Sequence, residues 1–385
     1  MKRAVKTVRV FSNDLEAVFT GRPNRFLITA EDSAGKELAC HCPNPGRLIE
    51  FFGFRGYDIP GIRLILEKRE PGSAARTDAT AVGLYYHDGI TGKEVTVPLF
   101  SSRANRAAEL LALDKIIPGL TEVHPEYAIG SSRFDFFCTD HGGRHHLVEV
   151  KACSLVEYGV AMFPDAPSER ALKHVQELAE LSGKGYVCHV LFAIVHSTPR
   201  VFIPNLHTDP ALAAGLSRLG TAVDPWTPNP HEPVKPAGWN RVLVHAALFR
   251  ADAQGRAVLA GASVPVDLSR GGLAADDRGD YLVVLELAEG VETEVGSLGT
   301  LRFDRGWYVY TGSARKNLTR RIDRHLRKIR KKKHWHLDYL IPFSATLKAL
   351  PIRSCRSLEC DLSRELSALG GKPVRGRNGG GFGSS

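Results

Sequence analysis

The chain has 385 residues, 43% hydrophobic and 24% charged, an ordinary globular composition long enough for two or three compact domains, which excludes disorder, collagen and coiled coil as global descriptions. Its 51 Lys and Arg against 42 Asp and Glu leave a net charge of +9, which favours a polyanionic partner such as nucleic acid. The longest apolar stretch, Tyr186 to Val195, is shorter than the roughly 20 residues that cross a bilayer, and Asp14 and Glu16 interrupt any N-terminal signal core, so no membrane association and a cytoplasmic location are expected.

In chain order, residues 1–90 read as short strands (8–11, 25–31 and 63–68) between Gly, Pro and Asn turns, the pattern of a small all-β barrel. A helix is expected over Asn105–Ile116. A hairpin over 134–152 follows, turning at Asp140 and Gly142-Gly143. Ser168 caps a helix that ends near Gly183, and the apolar run 186–196 is a strand suited to a sheet centre. These elements describe a mixed α/β domain over 91–268, with the proline-rich stretch 224–236 as a surface insertion between strands. Beyond a linker at 269–272, a third unit (273–385) has strand-like runs at 279–288 and 299–312 and a helix over 317–330. Seven cysteines, an odd number without paired zinc spacing, form no disulfide framework and are expected as buried, reduced thiols.

Val148-Glu149-Val150-Lys151 places an acid and a base on one face of a strand. Asp135 lies on the partner strand between Phe134 and Phe136, where an unpaired charge is costly. A divalent ion between Asp135 and Glu149, with Lys151 to orient or deprotonate a water, is the minimal equipment for phosphodiester hydrolysis. With Glu109 on the preceding helix, this order of acids resembles the PD-(D/E)XK nucleases. The resemblance implies Lys151 as the base, Asp135 and Glu149 as ligands of Mg2+ or Mn2+, and Glu109 as a helper acting through water. The blocks RPNRFL (22–27), HCPNPG (41–46), GSSRFDF (130–136), VEVK (148–151) and MFPDAPSERALKHVQEL (162–178) resemble those of the sugar fermentation stimulation protein A family. That likeness covers roughly residues 10–268 and implies an N-terminal OB-like barrel, a PD-(D/E)XK-like domain and DNA binding. Arg22 and Arg25 match a basic pair that touches phosphate or fixes the barrel entrance. Arg133 precedes the catalytic Asp, and Arg170 and His174, at i and i+4 on one helix face, are able to contact a phosphate; for Asp165 and Arg170 the alternative is helix capping and an exposed ion pair. Where the family carries a Lys-Arg-Lys cluster in the barrel, this chain has Ala74-Ala75-Arg76.

In the third unit, Gly279-Asp280-Tyr281, YVYTG (308–312), HWHLDYL (334–340) and LEC (358–360) resemble the Uri-type branch of the GIY-YIG nucleases. The resemblance implies a GIY-YIG-like α/β domain with Tyr281 or Tyr310 as base, Arg321 on the phosphate and Glu359 holding Mg2+. His334, His336 and Asp338 alternate on one face of a strand and either bind metal or, as the favoured reading, form polar lining of the site. Between 315 and 333, eleven basic residues accompany one acid, more positive charge than the whole chain's net. Leu318, Ile322, Leu326 and Ile329 give this stretch one apolar stripe, so it reads as a docked helix presenting Arg324, Arg327 and Lys328 to a polyanion. The sequence as a whole reads as an α/β protein that binds nucleic acid, DNA in particular, with metal-dependent nuclease activity. The alternative is a non-catalytic DNA-binding regulator of sugar metabolism that keeps a nuclease scaffold.

Overall fold

The computed structural model describes residues 5–54, 57–69, 76–100, 102–130, 132–196, 199–219, 242–329 and 332–374; the proline-rich stretch 224–236 and Ala74-Ala75 lie outside them. By internal contacts the chain falls into two units, Met1–Asn205 with Ala211–Gly271, and Leu206–Pro210 with Gly272–Ser385.

In the first unit, strands Leu15–Asn24, Leu27–Asp32, Glu37–His41, Arg63–Lys68 and Ala79–Asp88 form a closed five-stranded barrel. Parallel pairing of Cys40 with Ala79 and of His41 with Thr80 joins its ends. Period-two alternation sends Ala17, Phe19, Ile28, Ala30, Leu38, Cys40, Leu64 and Leu66 inward, onto Leu48, Phe51 and Phe52. Val8–Arg9, expected in the barrel, instead pairs with Arg256–Gly261 at the edge of a second sheet, where Val8, Val10 and Phe11 find apolar cover.

That second sheet has seven strands in the order Val8–Arg9, Arg256–Gly261, Val242–Ala251, Val187–Ile194, His145–Cys153, Ser132–Asp140, Leu120–Ile129. Val187–Ile194 runs parallel to both neighbours and is apolar on both faces, as a central strand must be. One face packs on helix Arg103–Leu111, which breaks at Ala112 before a short second helix, Leu113–Ile116, so the expected single helix is two. The other face packs on helix Glu169–Ser182, where the Ser168 hydroxyl accepts from Ala171 N–H and Gly183 closes the last turn.

Three buried histidines cross the centre of this sheet in one hydrogen-bonded line. His146 Nε2 lies 3.2 Å from Asp140 Oδ2, His146 Nδ1 is 3.0 Å from His189 Nε2, and His189 Nδ1 is 2.9 Å from His245 Nε2. With Asp140 as acceptor, each neutral ring must carry its proton on Nε2, and the line ends at His245 Nδ1, a buried lone pair with no partner among the described residues. Burial lowers the pKa of all three and brings that of His245 to about 4.

The second unit is a three-stranded antiparallel sheet with Gly279–Leu287 between Gly306–Ala314 and Ser344–Arg353. The run 299–312, expected as one strand, is two: Thr300–Phe303 pairs with Val291–Glu294, and only Gly306–Ala314 joins the sheet. Tyr281, Val283, Leu285 and Leu287 face helix Leu318–Leu326 and the 3-10 turn His336–Tyr339. His334, His336 and Asp338 are therefore not on a strand. The buried Asp338 accepts from the backbone N–H of His334 (2.9 Å) and Trp335 (3.0 Å) and folds the segment into a capped turn. The buried Arg353 holds Leu206–Pro210 in this unit, donating to the carbonyls of Leu206 (3.1 Å) and His207 (2.8 Å), while its N–H donates to His207 Nδ1 (2.9 Å). Residues 269–272, expected as a linker, begin a 3-10 helix, Ser269–Asp276. Five of the seven cysteines are buried; Cys355 and Cys360 are exposed, against expectation, near and within the outer helix Glu359–Ala368, which buries no residue.

Candidate functional site

Strand Ser132–Asp140 pairs with His145–Cys153 only from Phe136↔Val148 to Thr139↔His145. Where the ladder lapses, the Asp135 carboxylate takes over, accepting from Val150 N–H at 2.7 Å. Its other oxygen accepts from Asn105 Nδ2 at 2.7 Å. Burial, then the Glu149 charge, pushes the Asp135 carboxyl up to about 6. Glu149 is 3% exposed. Its Oε1 is bonded by Lys151 and by His174 Nδ1 (2.5 Å). Burial raises the Glu149 pKa, but these two bonds and the Lys151 charge outweigh it and hold the group below its ordinary value. Glu149 Oε2 is buried with no partner among the described residues. Two oxygen donors, one of them orphaned, whose like charges oppose each other fit a hard divalent ion. No group of three His, Cys, Asp or Glu residues is placed to enclose a metal among the described residues, so further ligands would be water or substrate oxygens.

Beside Glu149, a groove of about 640 Å³ is lined by Ser132, Arg133, Glu169, Arg170, Lys173 and His174. Arg133 and Arg170 are exposed there, Arg133 in an ion pair with Glu126 at 3.0 Å. His174 corrects the expectation of a phosphate contact: it is 5% exposed and turned inward onto Glu149. Glu109 stands one turn along the helix from Asn105, near the Cys138 thiol, which burial and then the Glu109 charge push up to about 12. The residue that bonds Asp135 is Asn105, which sequence reasoning missed; its i, i+4 relation to Glu109 was the available signal.

The blocks RPNRFL, HCPNPG and MFPDAPS meet one another. Arg22 donates to the carbonyls of Arg47, Gly46 (2.8 Å), Arg25 (3.0 Å) and Asn44 (3.4 Å), so of its two expected roles it fixes the barrel loop, while Arg25 remains exposed. Asp165 accepts from Leu48 N–H (3.4 Å) over Gly46, where a Cβ would collide with the Asp165 carboxylate.

In the second unit, the structure brings Tyr281, Tyr310, Arg321 and Glu359 together. The two tyrosine rings are 6.4 Å apart, and the fully buried Tyr281 hydroxyl is hydrogen-bonded to His325 Nε2 (2.9 Å). Burial, then the charge of Glu359, raises the Tyr310 phenol to about 12; burial and Tyr310 raise that of Tyr281. Both phenols are protonated at neutral pH, and the half-buried Tyr310 is the more accessible. Arg321 is held by the Ser313 carbonyl (2.8 Å) and stacks 5.0 Å over Trp335. A Cβ on Gly312 would stand 2.6 Å from the Tyr281 hydroxyl. Gly312→Ala is therefore expected to displace that ring and cost about 1–3 kcal/mol, read as a lower denaturation midpoint.

Residues 102–223 match the sugar fermentation stimulation protein RE domain, and 280–385 match a domain of unknown function, DUF123. Over 205 residues the chain is 34% identical to a sugar fermentation stimulation protein homolog of Clostridium botulinum, spanning 82% of that protein and 52% of this one. It is also 34% identical over 221 residues to the homolog of Methanothermobacter thermautotrophicus, spanning 87% of that protein and 57% of this one. The chain belongs to the sugar fermentation stimulation protein family. In fold, this family member is similar to Pyrococcus furiosus SfsA, solved in complex with Ca2+, with a TM-score of 0.52 and 22% identity over 68% of this chain and 99% of that one.

The basic segment differs from its expected form in this sugar fermentation stimulation protein family member. Its helix ends at Leu326, with Arg327 extended and Ile329 76% exposed. Continuing it would stack Arg324, Arg327 and Lys328 at i, i+3 and i+4 with no acid among them. Arg324 instead binds the buried Asp338 (2.9 Å) and the Lys332 carbonyl (2.8 Å), and Lys328 binds the Ser344 carbonyl (2.5 Å). Arg324→Gln is accordingly expected to lower stability by about 3–5 kcal/mol, because Asp338 keeps its charge without its cation. Arg327→Gln should leave the melting temperature unchanged, and in a nucleic-acid titration it should reduce the salt slope by about one unit.

Proposed function

We propose that the chain is a DNA-binding, divalent-metal-dependent phosphodiesterase working at Asp135, Glu149 and Lys151 in a PD-(D/E)XK-like domain. The observation that supports this most directly is the orphaned Glu149 Oε2 beside Asp135, a carboxyl that its neighbour's charge helps push up to about 6. Mg2+ or Mn2+ held by these two acids would supply charge to the phosphate oxygens and acidify a water. Lys151, on the same face, orients or deprotonates that water. Arg133, Arg170 and Lys173 bind the phosphates along the groove, and His174 and Asn105 hold Glu149 and Asp135 in place. In this reading the closed barrel is OB-like and presents Arg25 to nucleic acid. The second unit is a GIY-YIG-like module of the Uri type, with Tyr310 or Tyr281 as base, Arg321 on the phosphate and Glu359 as the metal ligand.

A second reading, a DNA-binding regulator without cleavage, is favoured by one observation: Lys151 and His174 both occupy Glu149 Oε1, so Lys151 is already engaged. A cleavage assay separates the two. The whole chain, Asp135→Ala, Tyr310→Phe and the double variant are incubated with single-stranded, double-stranded and branched DNA and RNA, with and without Mg2+ or Mn2+. Metal-dependent cleavage that Asp135→Ala loses supports the first reading. No cleavage of any substrate, with binding intact in every variant, establishes the regulator.

A further inference from the structure

We propose that the edge hairpin of the first unit, Leu120–Ile129 with Ser132–Asp140, carries a stacking platform for the unpaired bases of single-stranded DNA, whose phosphates follow the adjoining groove of Arg133, Arg170 and Lys173. The proposal rests on the nucleic-acid reading above and adds the substrate's form. Among the described residues, strand Leu120–Ile129 pairs only with Ser132–Asp140, and it buries none of its ten residues. Four rings nevertheless gather on it and its neighbours. Tyr127 stacks on Phe137 at 4.5 Å and 23°, His145 lies 5.2 Å from Phe137 on the far strand, and His124 is 6.0 Å from the same ring.

Alternation alone would not assemble this group. His124 and Tyr127 are three residues apart and would point to opposite faces of a regular strand. Glu126 lies between them at φ 57°, in the left-handed region that non-glycine residues seldom occupy, and this turns the strand over so that both rings reach Phe137. Phe137, the central ring, is partly buried against the core, while Tyr127 is 38% exposed and the His124 side chain 57% exposed. A backbone held in a costly conformation here sets an aromatic row facing solvent.

The charge beside the row indicates its occupant. Ala128 pairs with Arg133, one residue from Tyr127, and Arg133 lines a groove with Arg170, Lys173 and Glu169. Arg133 is ion-paired with Glu126 (3.0 Å) and Lys173 with Glu177 (3.6 Å), which leaves Arg170 as the cation there without an ion pair among the described residues. Exposed rings next to a track of cations are the equipment for unpaired nucleotides, whose base faces are free to stack, whereas in a duplex those faces are already stacked on one another. The platform also offers a way to hold a strand across the groove without reading its sequence, since every base has a π face.

Fluorescence anisotropy with the full-length chain, in chelator so that no cleavage intervenes, tests this with three probes of equal length: single-stranded DNA, blunt duplex, and a single strand with abasic sites. Tyr127→Leu is expected to weaken single-strand binding about tenfold while duplex binding changes less than twofold. Tyr127→Phe should bind like the parent. Abasic sites should weaken the parent about as much as Tyr127→Leu does and weaken that variant no further. A 2-aminopurine base in the single strand should be quenched by the parent and less so by Tyr127→Leu. The platform is overturned if the parent binds the abasic strand as tightly as the intact one, or if Tyr127→Leu weakens all three probes alike. If the parent binds no probe at all, the nucleic-acid reading falls and the platform with it.

Discussion

Asp135→Asn and Glu149→Ala are both expected to lose metal-dependent cleavage by about 10²–10³-fold or more, the range for removing one group that stabilises transition-state charge, yet to differ in stability. Glu149 Oε1 is shared by two buried or nearly buried partners, the Lys151 ammonium and His174 Nδ1. Removing it leaves Lys151, 15% exposed, without its counter-charge and His174 Nδ1 without its hydrogen-bond partner, at a cost of about 3–5 kcal/mol. Asp135 is in the opposite position. Burial and the Glu149 charge already oppose its ionisation, and Asn removes the charge while keeping the acceptor for Val150 N–H, its own Nδ2 donating to Asn105 Oδ1 once that amide turns over. Its variant should melt within a degree or two of the parent, or above it, in metal-free buffer at pH 7.5. Mg2+ or Mn2+ should raise the parent's melting temperature and leave that of Asp135→Asn unmoved. Equal destabilisation by both substitutions would mean that Asp135 is a structural carboxylate, and full activity in either would remove the pair from the chemistry.

The largest pH effect should come from the line of histidines. Burial takes His245 from its ordinary value near 6.5 to about 4, and His189 and His146 are lowered as well. The folded state therefore holds these rings neutral while the unfolded chain protonates them. Their stability contribution is intact above pH 6.5 and is lost as pH falls through the window from 6.5 to 4. For His245 alone the loss is about 2 kcal/mol at pH 5 and about 3 kcal/mol at pH 4. Urea unfolding at pH 7 and pH 5 should show a difference of that size or more. In His245→Gln, which does not titrate and whose amide still donates to His189 Nδ1, that difference should shrink by about 2 kcal/mol. An unchanged pH dependence would mean that the buried lone pair at the end of the line has water access in solution.

Parts of this architecture were legible in the sequence because local physics decides them. Ser168 and Gly183 frame their helix by capping, and the apolar 187–194 run reads directly as a central strand. The barrel was legible from its short strands and turns, but not the contact that closes it, a two-residue parallel pairing between strands some 40 residues apart. His174 shows how a site residue is misread. Grouped with Arg170 it looks like a phosphate contact, but it also falls on the stripe of Ala171, Val175 and Leu178, and that stripe faces inward. In HWHLDYL, the alternation of His334, His336 and Asp338 suggested a strand, where one aspartate collecting backbone N–H groups makes a turn. Ser344–Arg353 went unread because Pro351 argues against a strand, and an edge is where a sheet tolerates it.

The excursion of Leu206–Pro210 into the second unit governs how the two halves can be studied apart. A fragment beginning at Gly272 would retain Arg353 but lose the Leu206 and His207 carbonyls and the His207 ring nitrogen, leaving a guanidinium that is 6% exposed short of the acceptors that justify its burial. The complementary fragment, ending at Gly271, would carry Leu206–Pro210 as a strip stripped of its anchor. Dissection by truncation would thus damage both products, and assigning activity to one half or the other calls for point substitutions in the uncut chain.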